Sequence, residues 1–217
     1  MKYLTLLVYK MNKRKLSVAI LIFFSGLTPL LFGAEEIEPY NDRYCTTCHG
    51  TDGRGNFGVQ APRLAGMEAW YLKRQLENFR EGIRGYHPED VEGLAMQPMA
   101  EKLTNESILD ILEWVESWEY FPAEVTIEGD TAAGKLIYSQ CATCHGAEAE
   151  GNEALGAPAL SGQNDWYLIT QLKNFKQGLR GGESTDPFGQ QMMVMTQILA
   201  DENAMDNVVS YINTLGR

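Results

Sequence analysis

The sequence predicts an all-α protein of two tandem domains, related by an internal repeat and preceded by a signal peptide. Three observations predict it: a basic, then apolar leader over 1–34, a set of motifs that returns 96 positions later, and apolar residues spaced as on helices. The domains are expected at 35–119 and 129–217, with a linker at 120–128.

In the leader, Lys13-Arg14-Lys15 precede an apolar run from Leu16 to Phe32, and Gly33-Ala34 then Glu35-Glu36 end it. A basic region, an apolar stretch and a small-residue exit describe a secretory signal. A start at Met11 gives it a more usual length. Phe32 is a poor residue at position −3 for a cut after Ala34, so the rival is an uncleaved anchor, 17 apolar-leaning residues just sufficing to cross a bilayer. Ser25, Gly26, Thr28 and Pro29 weaken that rival. On either reading the body lies outside the cytoplasm.

The repeat needs no gap from Cys45 to Leu199. Cys45, Cys48 and His49 return as Cys141, Cys144 and His145, and Pro62, Leu64 and Gly66 as Pro158, Leu160 and Gly162. Trp70-Tyr71-Leu72 becomes Trp166-Tyr167-Leu168, Gln75 becomes Gln171, and Arg84 becomes Arg180. Met96, Met99 and Leu103 return as Met192, Met195 and Leu199. Chance does not hold such a register, so the halves are copies of one unit.

Helices are expected at 68–80 and 165–177, where Trp70, Leu72, Leu76 and Phe79, then Trp166, Leu168, Leu172 and Phe175, share a face. Asp130 is placed to cap a helix through about Gln140, with Leu136 and Ile137 on its inner face. The last helices are expected near 105–118, capped by Thr104 or Asn105, and near 201–215, capped by Asp201. Long Gly- and Pro-containing loops lie between, and loops of that length in a small domain usually wrap something. Pro122 and the β-branched residues beside it make 120–128 an extended linker.

The body beyond the leader carries 13 basic and 29 acidic side chains, a formal charge of −16. Such a surface repels nucleic acid and anionic lipid and can steer encounters with a basic patch on a partner. Four cysteines in 217 residues do not make a disulfide scaffold.

C-x-x-C-H reads as a covalent haem attachment site. Two thiols separated by two residues reach the two vinyl groups of one haem, and the next residue, a histidine, lies under the iron. A redox dithiol has no need of that histidine or of a second copy. A zinc site would join two C-x-x-C pairs, yet each pair here sits in its own repeat. A disulfide this short gains little loop entropy. Two haem c groups are therefore expected, on Cys45, Cys48, Cys141 and Cys144, with His49 and His145 as axial ligands.

His/Met ligation raises a haem potential and suits electron transfer. Met96 and Met192 are favoured as the second ligands over Met99 and Met195, with Met193 a further candidate that has only Gln97 opposite it. A carbonyl near Pro62 or Pro158 is placed to take the imidazole Nδ1–H. Trp70, Tyr71, Trp166 and Tyr167 read as core aromatics, some within reach of a haem propionate. Arg84 and Arg180 read as propionate partners or as solvated cations, and His87 as a loop residue.

The segments Cys45-Thr46-Thr47-Cys48-His49-Gly50, Pro62-Arg63-Leu64-Ala65-Gly66 and Met96-Gln97-Pro98-Met99, each with its copy, resemble the dihaem cytochromes c of the cytochrome c4 type, relatives of cytochrome c553. The resemblance covers nearly all of the chain after the leader. It implies two class I cytochrome c folds in a pseudo-twofold relation with their haems close at the interface. It further implies ligation by Met96 and Met192 and a periplasmic carrier, soluble or membrane-associated, that passes electrons from a donor to a terminal oxidase or reductase. The run Gln191-Met192-Met193-Val194-Met195 departs from the pattern by its richness in methionine. A haem subunit of a larger dehydrogenase or oxidase complex is the alternative. A dihaem peroxidase would need one iron with a displaceable ligand, which matched methionines disfavour.

Overall fold

A computed structural model describes residues 43–216, and the leader lies outside them. The first copy contributes α1 (Arg43–His49), α2 (Ala69–Arg80), α3 (Val91–Ala100) and α4 (Asn105–Glu116). The second contributes α5 (Thr131–His145), α6 (Asp165–Gln177), α7 (Pro187–Met195) and α8 (Glu202–Ile212). Among the described residues, extended backbone pairs only in two isolated bridges, Asn56 with Ala61 and Asn152 with Ala157. The all-α class is thus observed.

Local chemistry accounts for the helix starts. The Asp130 carboxylate accepts from the N–H groups of Ala132 and Ala133 at 2.8 and 3.1 Å. Thr104 and Ser107 cap α4 reciprocally, and Asp201 accepts from Ala204 N–H at the start of α8. Helix α5 continues past Gln140 to His145 and so carries the whole second motif. Leu136 corrects one expectation: it is 76% exposed, and only Ile137 of that pair packs on the core.

Helices α3 and α7 stand where loops were expected. Asp90 and Asp186 cap them, accepting from Gly93 and Gly189 N–H at 3.1 and 2.9 Å. Gly93, Pro98 and Gly189 obscured them, since each lowers helix propensity. Both helices lie hard against the loop before them. A Cβ on Gly85 would come within 2.2 Å of Gly93 O, and one on Gly181 within 2.3 Å of Gly189 O.

Each copy has its own core. Leu72, Phe79, Leu103, Ile108, Ile111, Leu112 and Val115 form the first, and Leu168, Leu199, Met205, Val208, Val209, Ile212 and Leu215 the second. Beyond Leu199 the register slips by one residue. Met205, Val208, Val209 and Ile212 occupy the places of Ile108, Ile111, Leu112 and Val115, so the spacing there is 97. Ala200, between Leu199 and the cap Asp201, is the extra residue.

Residues 120–128 have no regular structure, and side chains of both copies hold them. Arg63 donates to the Phe121 carbonyl and lies over the Tyr120 ring at 5.1 Å. Asp165 accepts from Thr126 N–H and Ile127 N–H at 2.6 and 2.8 Å.

Candidate haem sites

Helix α5 sets Cys141, Cys144 and His145 at i, i+3 and i+4, hence on one face. All three line a cleft walled by apolar side chains that include Leu160, Leu168 and Phe175. The same motif in the first copy lies on α1, again ending at its histidine. None of the four cysteines is in a disulfide. Burial, and second the neighbouring Cys48, push the Cys45 thiol up; burial is likewise the main cause that raises Cys141. A reactive dithiol requires the opposite shift.

Both histidines are buried and held alike. His49 Nδ1 lies 2.7 Å from the Pro62 carbonyl, and His145 Nδ1 lies 2.8 Å from that of Pro158. A carbonyl only accepts, so Nδ1 carries the proton and Nε2 keeps its lone pair. Burial lowers both imidazoles below their ordinary value, against the pull of those carbonyls, which keeps the rings neutral. His145 Nε2 is buried and has no hydrogen-bond partner among the described residues. A buried nitrogen pays for such isolation unless a ligand takes it. The residues therefore fit a haem: two thiols and a free imidazole nitrogen converge on an apolar cleft.

Methionines Met192 and Met195 line this cleft, whereas Met193 is not in its wall. In the first copy Met96 packs against the core, while Met99 is 49% exposed. His87 is a loop residue, as expected, and its Nδ1 accepts from Glu89 N–H at 3.2 Å.

Arg84 and Arg180 are not solvated. They are 8% and 6% exposed and lie where the copies meet. Arg84 donates to Gln75 of its own copy at 2.8 Å and to Tyr167 and Gln171 of the other at 3.0 and 3.2 Å. Arg180 donates to Gln171 of its own copy at 2.6 Å and to Tyr71 and Gln75 of the other at 3.0 and 2.9 Å. Each lies 4.5 Å above its own phenylalanine, Phe79 or Phe175. Exchanging the copies reproduces every contact, which is the signature of a twofold interface. Both Nε atoms are buried without a partner among the described residues, and Arg180 lines the cleft, a placement suited to an acidic edge of a bound haem.

Sequence reasoning missed the polar residues that work across this interface: Glu68, Asn164 and Asn174. The Asn174 amide donates to Asp90 at 3.0 Å. Their partners in the other copy lie 84 to 110 residues away, beyond any local pattern.

A helical domain built twice, each copy presenting thiols and a carbonyl-anchored imidazole, defines a c-type haem protein with two haem c groups. The family model for Cytochrome c matches residues 38–119 and 131–216, and the chain belongs to that family. It is 30% identical over 184 residues to "Thiosulfate dehydrogenase electron acceptor" of Stutzerimonas stutzeri, covering 80% of this chain and 79% of the relative. It is 28% identical over 219 residues to "Cytochrome c4" of Azotobacter vinelandii, covering 94% of this chain and 100% of the relative. The solved cytochrome c4 of Acidithiobacillus ferrooxidans superposes with a TM-score of 0.62 at 25% identity, over 78% of this chain and 98% of that one.

Proposed function

We propose that the chain is a periplasmic single-electron carrier, with one haem in each of two domains spanning 35–119 and 129–217 and a linker at 120–128. In this reading Cys45 and Cys48, and Cys141 and Cys144, bear the thioethers. His49 and Met96 ligate one iron, and His145 and Met192 the other.

Haem iron supplies a one-electron change of oxidation state, at a potential that His/Met ligation raises. The protein supplies the rest. Helix α5 fixes the thiols and the imidazole on one face, so the ring needs no reorganisation. The Pro158 carbonyl holds Nδ1–H and aims Nε2 into the cleft. Leu160, Leu168 and Phe175 line the cleft with apolar surface, so little solvent there has to reorient when the charge of a bound iron changes. The observation that carries the reading is the buried, unpartnered Nε2 of His145 beside two thiols of its own helix.

Repeat symmetry supports Met192 over Met195. Met96 faces inward in the first copy and Met99 outward, and Met192 is the counterpart of Met96. His49 with Met96, and His145 with Met192, would fill both axial positions of a bound haem and leave no open position for a substrate, which supports a carrier without substrate chemistry of its own.

The formal charge of −16 beyond the leader suits redox partners with basic docking patches, an electron donor and a terminal oxidase or reductase. The relative named as a thiosulfate dehydrogenase electron acceptor supports a dehydrogenase of that class as donor. Among the described residues no helix is long and apolar enough to cross a membrane, so membrane association rests on the leader or is peripheral. A redox titration followed by absorption spectra tests the proposal. Two low-spin haems at high potential are expected. A colourless exported product without the mass of two macrocycles overturns it, and recovery in a stable membrane complex makes the chain a subunit rather than a shuttle.

A further inference from the structure

The peptide bonds that anchor the two histidines are themselves gripped by the opposite copy. Pro62 C=O accepts from His49, and the N–H of the same peptide, on Arg63, donates to Asn164 Oδ1 at 2.7 Å. Pro158 C=O accepts from His145, and the N–H of that peptide, on Ala159, donates to Glu68 Oε1 at 3.0 Å. Glu68 and Asn164 are counterparts in the repeat, at the N-caps of α2 and α6. Neither side chain caps its own helix. Both reach across the interface instead, at the expense of a bond that helix starts ordinarily use.

The gripping groups differ in charge. The first histidine's peptide is held by a neutral amide, the second's by a carboxylate. An amide is a conjugated unit, so an anion at its N–H shifts electron density onto its oxygen. A richer oxygen accepts more strongly from Nδ1–H and makes the imidazole more basic, and a more basic ligand favours the ferric state.

We propose that Glu68 and Asn164 are positioning residues that set the two haem potentials across the interface, Glu68 lowering that of the second copy and Asn164 leaving that of the first uncorrected. The inference rests on histidine ligation as proposed above. It makes each copy the tuner of its neighbour's iron, so two nearly identical sites acquire different affinities for an electron.

Glu68→Gln keeps the acceptor and removes the charge; Asn164→Asp adds the charge at the counterpart. The holoprotein of each is titrated, with potentials assigned to each copy through paramagnetically shifted proton signals. Glu68→Gln is expected to shift the second copy's reduction equilibrium three- to tenfold towards ferrous, tenfold being about 59 mV for one electron. Asn164→Asp is expected to shift the first copy's equilibrium three- to tenfold towards ferric. In each variant the other haem moves less than twofold. Both shifts are expected to persist in 1 M salt, where the screening length is about 3 Å, because the bonded path does not run through solvent. Equal shifts at both haems, no shift beyond twofold in either variant, or shifts abolished by salt overturn the inference while leaving the electron carrier intact. Protein without haem overturns both.

Discussion

Tyr71 accepts a hydrogen bond from Arg180 Nη2 at 3.0 Å across the boundary between the copies, and Tyr167 accepts its counterpart from Arg84 at the same distance. Burial pushes the Tyr71 phenol up, but the guanidiniums of Arg180 and Arg84 pull it further down, so it ends below its ordinary value. The two arginines also share acceptors: the side-chain carbonyls of Gln75 and Gln171 each take one bond from either.

That sharing makes the arginines non-additive. Arg180→Ala or Arg84→Ala alone leaves each glutamine with one donor and relieves the repulsion between two buried cations. The cost is about 2 kcal/mol, largely the orphaned tyrosine hydroxyl. The double variant strips both glutamines as well. Its loss is expected to exceed the sum of the single losses by about 1 kcal/mol, read from urea unfolding midpoints. A double loss equal to the sum would show that the two sites stabilise the interface independently.

Asp165 ties the linker to the second copy. Its carboxylate accepts from Thr126 N–H, Thr126 Oγ1, Ile127 N–H, Trp166 N–H and Asn213 Nδ2. Burial alone would raise this acid, but the bonds, that from the Thr126 hydroxyl foremost, hold it below its ordinary 3.8. A depressed acid stabilises the fold fully above its unfolded value and loses that contribution as pH falls through the folded one. Asp165→Ala is expected to cost about 3 kcal/mol at pH 7. Unfolding at pH 7 and then below pH 3.8 is expected to show the gap to wild type shrinking in acid.

Gly85 and Gly82 separate close approach from backbone strain. Both have φ near +70°, at +74° and +71°. A Cβ on Gly82 meets nothing nearer than Gln97 Nε2 at 3.7 Å, whereas one on Gly85 meets the Gly93 backbone at 2.2 Å. Gly82→Ala is expected to cost about 1 kcal/mol, the left-handed penalty alone. Gly85→Ala must displace α3 and is expected to cost at least about 3 kcal/mol, measured by thermal unfolding.

What was legible in the sequence was local or repeated. Asp130, Thr104 and Asp201 announced helix starts because a cap bonds within three residues. The C-x-x-C-H motifs and their prolines were legible because the repeat printed them twice. Leu136 misled because it begins a run of three consecutive apolar residues, Leu136-Ile137-Tyr138, which turns through more of a helix than one face can bury. The slip beyond Leu199 was hidden because no matched residue follows it. Arg84 and Arg180 were visible as a repeated pair, but their acceptors lie 83 to 109 residues away except within their own copy. One signal was available. Tyr71, Gln75 and Arg84 return together as Tyr167, Gln171 and Arg180, and polar residues retained in register on a helix and in the loop that follows it point to a shared buried network.

The methionine assignment makes the last prediction. Met96 lies against the first core and Met99 is 49% exposed, so only Met96 faces the interior there. The repeat carries this choice to Met192, although Met195 also lines the second cleft. Each ferric haem with sulfur ligation contributes a weak band at the red end of the visible spectrum. Met96→Ala and Met192→Ala are each expected to remove about half of it, and the pair together nearly all. Met193→Ala and Met195→Ala are expected to leave it intact, because in the proposed ligation neither sulfur binds iron. A halved band in Met195→Ala with a full one in Met192→Ala would move the ligand three residues along. That would place the second iron against the end of α7 rather than its middle, and would break the symmetry that the arginine pair and the anchored histidines share.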